Sequence, residues 1–187
     1  MSRRIPKSRA LLGLGLAVCP ALFCSKDQAT QPGDAFPGIT RTDGAGRILS
    51  LDPDDWEHDT AWPYENLYRA LQGALTKNSP GAARFHAPST NYNISPAFPN
   101  PTSGPCTILL MLPEPSEAFV VLIDGARRVV RTWVLRKCLP EGHHTLYFDG
   151  VGDNGRLLPR GPYRCVYRFE NGGYGVFHGH GDIRIGP

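Results

Sequence analysis

The stretch Leu139–Tyr163, LPEGHHTLYFDGVGDNGRLLPRGPY, decides the fold class of this chain, because it reads as strand, polar turn and strand. Across His144–Phe148, every second residue, including Leu146 and Phe148, is suited to a buried face. This period of two is expected of a half-buried strand. Asp149-Gly150 ends that run, and Asp153–Gly155 supplies a second tight turn. Another strand is predicted over Tyr163–Phe169. The pattern favours a β-sandwich module rather than a catalyst.

The order of motifs around this stretch resembles the FlgD-type immunoglobulin-like domain, named after the flagellar hook-capping protein. It is also similar to type IX secretion sorting domains. That family begins with Pro-Asn-Pro and continues through alternating strands separated by Asp- and Gly-rich turns. The resemblance covers residues 97–185, and its matching motif residues here are Pro99, Asn100, Pro101, Asp124, Asp149, Gly150, Asp153, Asn154, Gly155, Gly161 and Tyr163.

The resemblance implies an all-β fold, an Ig-like or fibronectin-III-like antiparallel sandwich of about seven strands. Gly152 stands where the family commonly has a carboxylate, which argues against calcium at the Asp149–Asp153 turn. The predicted core consists of Ile108, Leu110, Leu112, Val120, Leu122, Val130, Trp133, Leu146, Phe148, Tyr163, Cys165 and Tyr167.

The N-terminus has the pattern of an export signal, predicted to span residues 1–23. Four basic residues precede a charge-free run, Ala10–Phe23, which is too short to span a bilayer comfortably. Cys24 follows that run, as in bacterial lipoprotein signals, so we expect it to be the lipid-attachment residue. Cys19 is an alternative attachment site. The other interpretation is an ordinary cleaved signal with an incidental cysteine, which would give a freely secreted protein.

The charge of the chain argues against nucleic-acid binding. The formal charge is +3, but the four basic residues before Cys24 account for the excess; without them 16 Lys+Arg face 17 Asp+Glu, a charge of −1. No basic cluster interleaved with aromatic residues follows the signal. We therefore expect a membrane contact through the lipid anchor and an unidentified protein partner, with no nucleic acid and no small-molecule substrate.

Two segments separate the signal from the predicted sandwich at residues 97–187. Residues 24–38 are small, polar and proline-containing, which is typical of a flexible tether. Residues 39–96 form an extension with a predicted hairpin over 39–56 and one amphipathic helix over 64–78. Residues 79–98 are predicted to be loop.

The cysteines beyond the signal are odd in number: Cys106, Cys138 and Cys165. One disulfide with one remaining thiol is the simplest arrangement in an exported chain, and the sequence does not choose among the three pairings. Cys106 shares the parity of Ile108 on the first strand. It is therefore equally well interpreted as a small buried hydrophobe.

Candidate chemistry is sparse, and no catalytic residues or cofactor are predicted. His178 and His180 would project from one face of a strand and are weak candidates for a metal site; His143 or His144 would have to complete it. No nucleophile elbow or phosphate-binding glycine motif is present. The glycine-rich final strand is predicted to be an exposed edge that could pair with a partner strand.

Three functional hypotheses follow. The first is a non-enzymatic cell-envelope lipoprotein, on the periplasmic side or the cell surface, whose Ig-like domain serves interaction, assembly or sorting. The second is a small exported metal-binding protein that uses His178 and His180. The third makes the C-terminal domain a type IX-like secretion sorting domain, although only about 70 residues would lie between the signal and that domain.

Overall fold

The computed structural model describes residues 36, 38–75, 92–171 and 175–186. The predicted signal peptide, Cys24 and most of the predicted tether lie outside these residues. Within them, two antiparallel sheets pack face to face, which confirms the predicted all-β sandwich.

The larger sheet has five strands in the order β3-β10-β9-β6-β7. The smaller sheet has three strands in the order β4-β5-β8, and a separate hairpin pairs β1 with β2. The strand bounds are β1 Arg41–Thr42, β2 Ile48–Ser50, β3 Glu57–His58, β4 Asn93–Ile94, β5 Cys106–Leu112, β6 Ser116–Ile123, β7 Val129–Leu139, β8 Gly142–Phe148, β9 Gly161–Asn171 and β10 Gly175–Ile185.

The core lies between the two sheets, where alternate side chains of each strand point inward. Ten of the twelve predicted core residues are buried there, while Val130 and Trp133 are partly buried and pack against the cluster. Tyr167 and Phe148 are among the largest side chains that are fully buried. The alternate apolar residues that the sequence analysis assigned to the buried face are therefore the residues that form most of the core.

The single helix in the described part of the chain, α1 Glu65–Leu75, covers the outer face of the larger sheet. Tyr68, Leu67 and Leu71 recur at helical spacing and pack with Phe119 and Val166 of the sheet. No helix among the described residues is long and apolar enough to cross a membrane. The helix thus adds a third, partial layer to the sandwich.

The segments before residue 97 belong to the same packed body. The β1–β2 hairpin reverses at Asp43–Gly46, as the turn residues predict, and a bridge joins Thr42 to Asn100. Strand β4 lies within the range predicted to be loop and pairs with β5. Both sheets therefore take a strand from the extension, in addition to the six long strands of the C-terminal region.

The three cysteines beyond the signal are free thiols, so the disulfide predicted as the simplest arrangement does not form. Cys106 and Cys165 are buried in the core, and Cys138 is exposed on β7. Burial raises the pKa of Cys106 to about 12. Cys106 and Cys165 are therefore small hydrophobes of the core.

Candidate functional site

The extension docks on the outer edge of β10 beside the two candidate histidines. Glu57–His58, which form β3, pair antiparallel with Gly179 and His180. The backbone N–H of Trp56 donates to the carbonyl of His180 over 2.7 Å. Strand β3 is therefore an edge strand of the larger sheet, and β10 lies between β3 and β9.

Side chains continue the coverage of β10 beyond β3. The Asp55 carboxylate accepts a 2.8 Å hydrogen bond from the backbone N–H of Asp182, and the side-chain amide oxygen of Asn100 accepts one of 2.9 Å from the backbone N–H of Arg184. The N–H of Thr102 donates to the Arg184 carbonyl over 2.8 Å. The prediction of an exposed edge at the final strand is therefore wrong, because the chain's own extension and motif residues occupy it.

The glycines of the final strand are explained by this docking. A Cβ at Gly179 would lie 2.0 Å from the Glu57 carbonyl oxygen, and one at Gly181 would lie 2.1 Å from the indole of Trp56. Real Cβ atoms do not approach other atoms so closely. Within His178–Asp182 (HGHGD), the extension therefore packs directly on the backbone of Gly179 and Gly181. A side chain at either position would prevent this contact.

A buried polar network joins three segments behind this edge. The second Asp55 oxygen accepts from the N–H of Thr40 over 2.8 Å. The Asn100 amide donates to the carbonyls of Thr40, over 2.9 Å, and Asp182, over 2.7 Å. Asn100 and Thr40 are fully buried. Asn100, the middle residue of Pro-Asn-Pro, therefore holds the extension and β10 together.

Arg164 on β9 faces Asp182 on β10 and forms a two-pronged ion pair with it. Its Nε and one terminal nitrogen lie 2.6 Å and 2.7 Å from the two Asp182 carboxylate oxygens. The other terminal nitrogen donates to the Tyr64 hydroxyl over 3.0 Å, and the guanidinium lies 4.5 Å from the centre of the Phe36 ring. Nε and both terminal nitrogens of Arg164 are therefore hydrogen bonded, and its guanidinium also packs against the Phe36 ring.

The carboxylates of the network titrate abnormally because they are buried close together. Burial, and then the charge of Asp182, raise the pKa of Asp55 to about 6. Burial also raises the pKa of Asp182, although the Arg164 ion pair opposes that shift. Asp55 can therefore gain a proton in mildly acidic solution, where an exposed aspartate stays ionised.

The two candidate metal ligands, His178 and His180, share a strand face but have different neighbours. His180 Nδ1 lies 2.7 Å from an oxygen of Asp59. The His178 ring stacks on Trp62, at 5.1 Å between centroids, and lies 4.9 Å from the His58 ring. Burial lowers the pKa of His178, with smaller contributions from His58 and Arg168. No set of three or more His, Cys, Asp or Glu side chains in the described residues is placed to hold a metal ion.

His143 and His144 lie on β8 in the smaller sheet, whereas His178 and His180 lie on β10 in the larger one. His144 Nε2 is 2.8 Å from the carbonyl oxygen of Pro140. The predicted site required β8 to lie beside the final strand, so that His143 or His144 could join His178 and His180, and these two strands do not pair. The structure does not bring the candidate histidines together.

A cleft of about 500 Å³ opens beside the docked extension. Within the described chain, no Ser, Thr or Cys hydrogen bonds to His180, so a nucleophile and base are not assembled there. The cleft is lined by several acidic side chains, and the raised pKa of Asp55 allows that group to hold a proton there. Its lining consists of Gly38, Asp52, Pro53, Asp54, Asp55, Glu57, His58, Asp59, Thr60, Arg164, His180 and Asp182.

The remaining motif residues build turns. Asp124 accepts from the N–H groups of Ala126 and Arg128, each over 2.9 Å, and Asp149 accepts from Val151. Asp153 accepts from the N–H of Thr132 on β7.

The glycines and tyrosine of the motif have equally local roles. Gly150 and Gly155 have positive φ angles of 81° and 74°, and Gly161 opens β9. The Tyr163 hydroxyl donates to the Pro159 carbonyl over 2.7 Å. A Cβ at Gly152 would lie 2.8 Å from the Val130 carbonyl oxygen, so close packing of the turn on β7 accounts for this glycine. Asn154 accepts from the N–H of Arg156 in the same turn.

Sequence reasoning missed the residues that dominate this site: Asp55, Asp59, Arg164 and Asp182. Asp182 has the same parity as His178 and His180, and Arg164 carries the opposite charge on a neighbouring predicted strand. That complementary pair was the available signal. Asp55, by contrast, lies in an acidic turn whose burial depends on long-range docking.

Comparison with known proteins identifies no family: no protein-family model matches the chain, and no curated protein matches it. The resemblance to the FlgD-type domain therefore stays a prediction. The β-sandwich itself rests on the observed sheets.

Proposed function

We propose that this chain is an exported, lipid-anchored protein of the bacterial envelope, whose β-sandwich acts as a non-enzymatic interaction or assembly module. The export and the lipid anchor rest on the sequence pattern that ends at Cys24. The observation that carries the interaction role is an exposed, partly apolar face on the smaller sheet. Apolar side chains that share one exposed face are a common feature of protein-binding surfaces.

The exposed face consists of outward residues of β5 and β8. Leu109, Met111 and Tyr147 are 43%, 37% and 59% exposed. Leu109 lies opposite Thr145, and Tyr147 lies opposite Thr107, so these side chains share one face. Isolated exposed hydrophobes are common on proteins. Three of them on one small sheet favour a partner-binding role.

The polar site supports a non-enzymatic role. Asp55, Asp182 and Arg164 are hydrogen bonded to the backbone or to one another, and their work is to hold the extension on the sandwich. A catalytic acid or base has to reach a substrate. Groups whose bonding positions are filled by the fold itself are better suited to a structural clamp.

The metal-binding alternative, by comparison, gains no support from the histidines. His180 is hydrogen bonded to Asp59, and His178 lies under Trp62. The sorting-domain alternative shares the same sandwich, and it differs from an anchored module in predicting cleavage or transfer during export.

The test is membrane fractionation with intact-mass measurement of the full chain expressed in a bacterial host. We expect a mature species that begins at Cys24, carries added acyl mass and sediments with membranes. Cys24→Ala should abolish both the acyl mass and the sedimentation, and the matched variant Cys19→Ala should leave them unchanged. An unmodified soluble wild-type species would overturn the anchored role.

A further inference from the structure

A second concave surface shares Arg164 with the acidic cleft. It has a volume of about 690 Å³ and runs between two loops. One loop, Asp124–Arg128, joins β6 to β7; the other, Pro159–Tyr163, leads into β9. Phe36 and Tyr64 complete its lining. We call this surface the arginine groove.

The arginine groove has an excess of positive charge. Four arginines and one aspartate line it. Arg128 is paired with Asp124 at 2.6 Å, and Arg164 is paired with Asp182. Arg127 and Arg160 are both exposed, and neither forms an ion pair with a carboxylate among the described residues. Two guanidinium groups are therefore open to an anionic ligand.

Both open arginines are carried by ordered backbone. Arg127 has a left-handed φ of 59°, and its N–H donates to the Asp124 carbonyl over 2.8 Å. A Cβ at Gly186 would lie 3.2 Å from the Arg160 side chain, so the stem of Arg160 rests against that glycine. The packed stem of Arg160 reduces the entropy lost when its guanidinium binds a ligand, and the fixed turn of Arg127 limits the positions that its guanidinium can reach.

The walls of the groove are partly apolar. The Phe36 ring lies under Arg164, and the Tyr163 hydroxyl is already bonded to the Pro159 carbonyl, which leaves the flat ring as wall. Pro162 and Ala126 add further apolar surface. A ligand that matches this lining has carboxylates for the two arginines and apolar groups for the walls.

We propose that the arginine groove binds a short acidic segment of a partner polypeptide that also carries apolar side chains. Carboxylates match guanidinium groups in shape and charge. A free phosphate ion would leave most of the groove and its apolar walls unused. A long polyanion would extend toward the acidic cleft, which shares Arg164 with the groove and carries Asp52, Asp54 and Glu57.

The proposal deepens the interaction role proposed above and rests on it, but it does not require the lipid anchor. The two can therefore fail separately. Peptide binding by a soluble, unacylated protein would leave the groove intact while refuting the anchor. An acylated, membrane-bound protein that does not bind the peptide would refute the groove alone.

The experiment measures fluorescence anisotropy of a labelled hexapeptide of alternating leucine and glutamate titrated with the purified mature protein. Arg127→Gly removes one guanidinium and suits the positive φ, and Arg160→Gln removes the other. Loss of one exposed pair weakens binding by up to about fivefold, and we expect the double variant to bind about tenfold or more weakly. The charge-matched control for each single variant is Arg156→Gln, at an exposed arginine in another turn, which should change the dissociation constant by less than about twofold. Thermal unfolding of each variant confirms that it is folded.

Three results would overturn the proposal. Equal affinity for the peptide with glutamine in place of glutamate would show that binding does not depend on the negative charge of the peptide. Full competition by inorganic phosphate at concentrations matching the peptide would identify a small-anion site. Self-association of the free protein that disappears in Arg127→Gly would identify a second copy of this chain as the occupant. Binding that needs glutamate, resists phosphate and fails in the double variant supports it.

Discussion

The indole ring of Trp56 lies flat against the backbone of Gly181. A Cβ at that glycine would be 2.1 Å and 2.2 Å from two indole carbons, so the ring occupies the space of the missing side chain. Trp56 is 5% exposed, has a positive φ of 66° and stacks on Tyr167 in the core. The packing of Trp56 over Gly181 is therefore one of the contacts that hold the extension on β10, beside the β3 pairing and the Asp55 hydrogen bonds.

Gly181→Ala is expected to lower the free energy of unfolding by about 1–3 kcal/mol, the usual cost of overpacking a filled site. The added methyl group would push the indole away and weaken the pairing of β3 with β10. Thermal or urea unfolding of the purified protein measures the change. Amide hydrogen exchange should show the largest loss of protection at Trp56 and in β3.

The matched control is Gly73→Ala on the exposed surface of α1, where an added Cβ meets nothing within 4 Å. Alanine is favoured over glycine in a helix by about 1 kcal/mol, so this variant should be as stable as the wild type or more so. Equal stability of Gly181→Ala and the wild type would contradict the docking described for Trp56.

Much of the sandwich could be predicted because the sequence features that specify its strands involve residues close together in the chain. Alternation along Ile108, Leu110 and Leu112 sets the inward face of β5, and the polar turns at Asp149 and Asp153 mark strand ends. The predicted helix also lies where its leucine spacing places it, with observed bounds Glu65–Leu75. Period and turn chemistry act over a few residues and can be read from one sequence.

The site was not predictable in the same way because its contacts are long-range. Asp55 meets Asp182 across 127 positions of the chain, and Asn100 meets Thr40 across 60. The glycines of the final strand indicated close approach, but they did not reveal what approaches. The open-edge prediction failed because a two-residue strand, β3, is too short to leave a periodic signal.

Asp55 is expected to make stability depend on pH. Its pKa rises from 3.8 to about 6 on folding, so the native state binds the proton more tightly than the unfolded chain. The free energy of unfolding contributed by Asp55 therefore falls as pH rises from about 4 to about 6 and is constant above that range. Its total change is on the order of 3 kcal/mol. Urea unfolding at several pH values measures it.

Asp55→Asn should remove the Asp55 part of this pH dependence and leave the part of the same sign that Asp182 contributes through its own raised pKa. Asp54→Asn, at an exposed neighbour, should preserve the full dependence. His178 contributes with the opposite sign, because its lowered pKa costs stability as pH falls. The difference between wild type and Asp55→Asn isolates the Asp55 contribution from that of His178. Parallel stability profiles for wild type and Asp55→Asn would show that Asp55 does not titrate in this range.

The free cysteines are expected to differ sharply in reactivity toward a thiol reagent. Cys138 is exposed on β7, whereas Cys106 and Cys165 lie in the core. Burial raises the pKa of Cys106 to about 12 and raises that of Cys165 as well, so neither forms the reactive thiolate near neutral pH. Native protein should therefore react rapidly at Cys138, and the two core thiols should react only after unfolding in urea. In a background that carries Cys19→Ala and Cys24→Ala, Cys138→Ser should remove the rapid phase while the urea-dependent phase keeps its amplitude. A rapid phase that persists in Cys138→Ser, with either core cysteine modified in the peptide map, would show that the core opens to solvent, since no other route brings reagent to those two thiols.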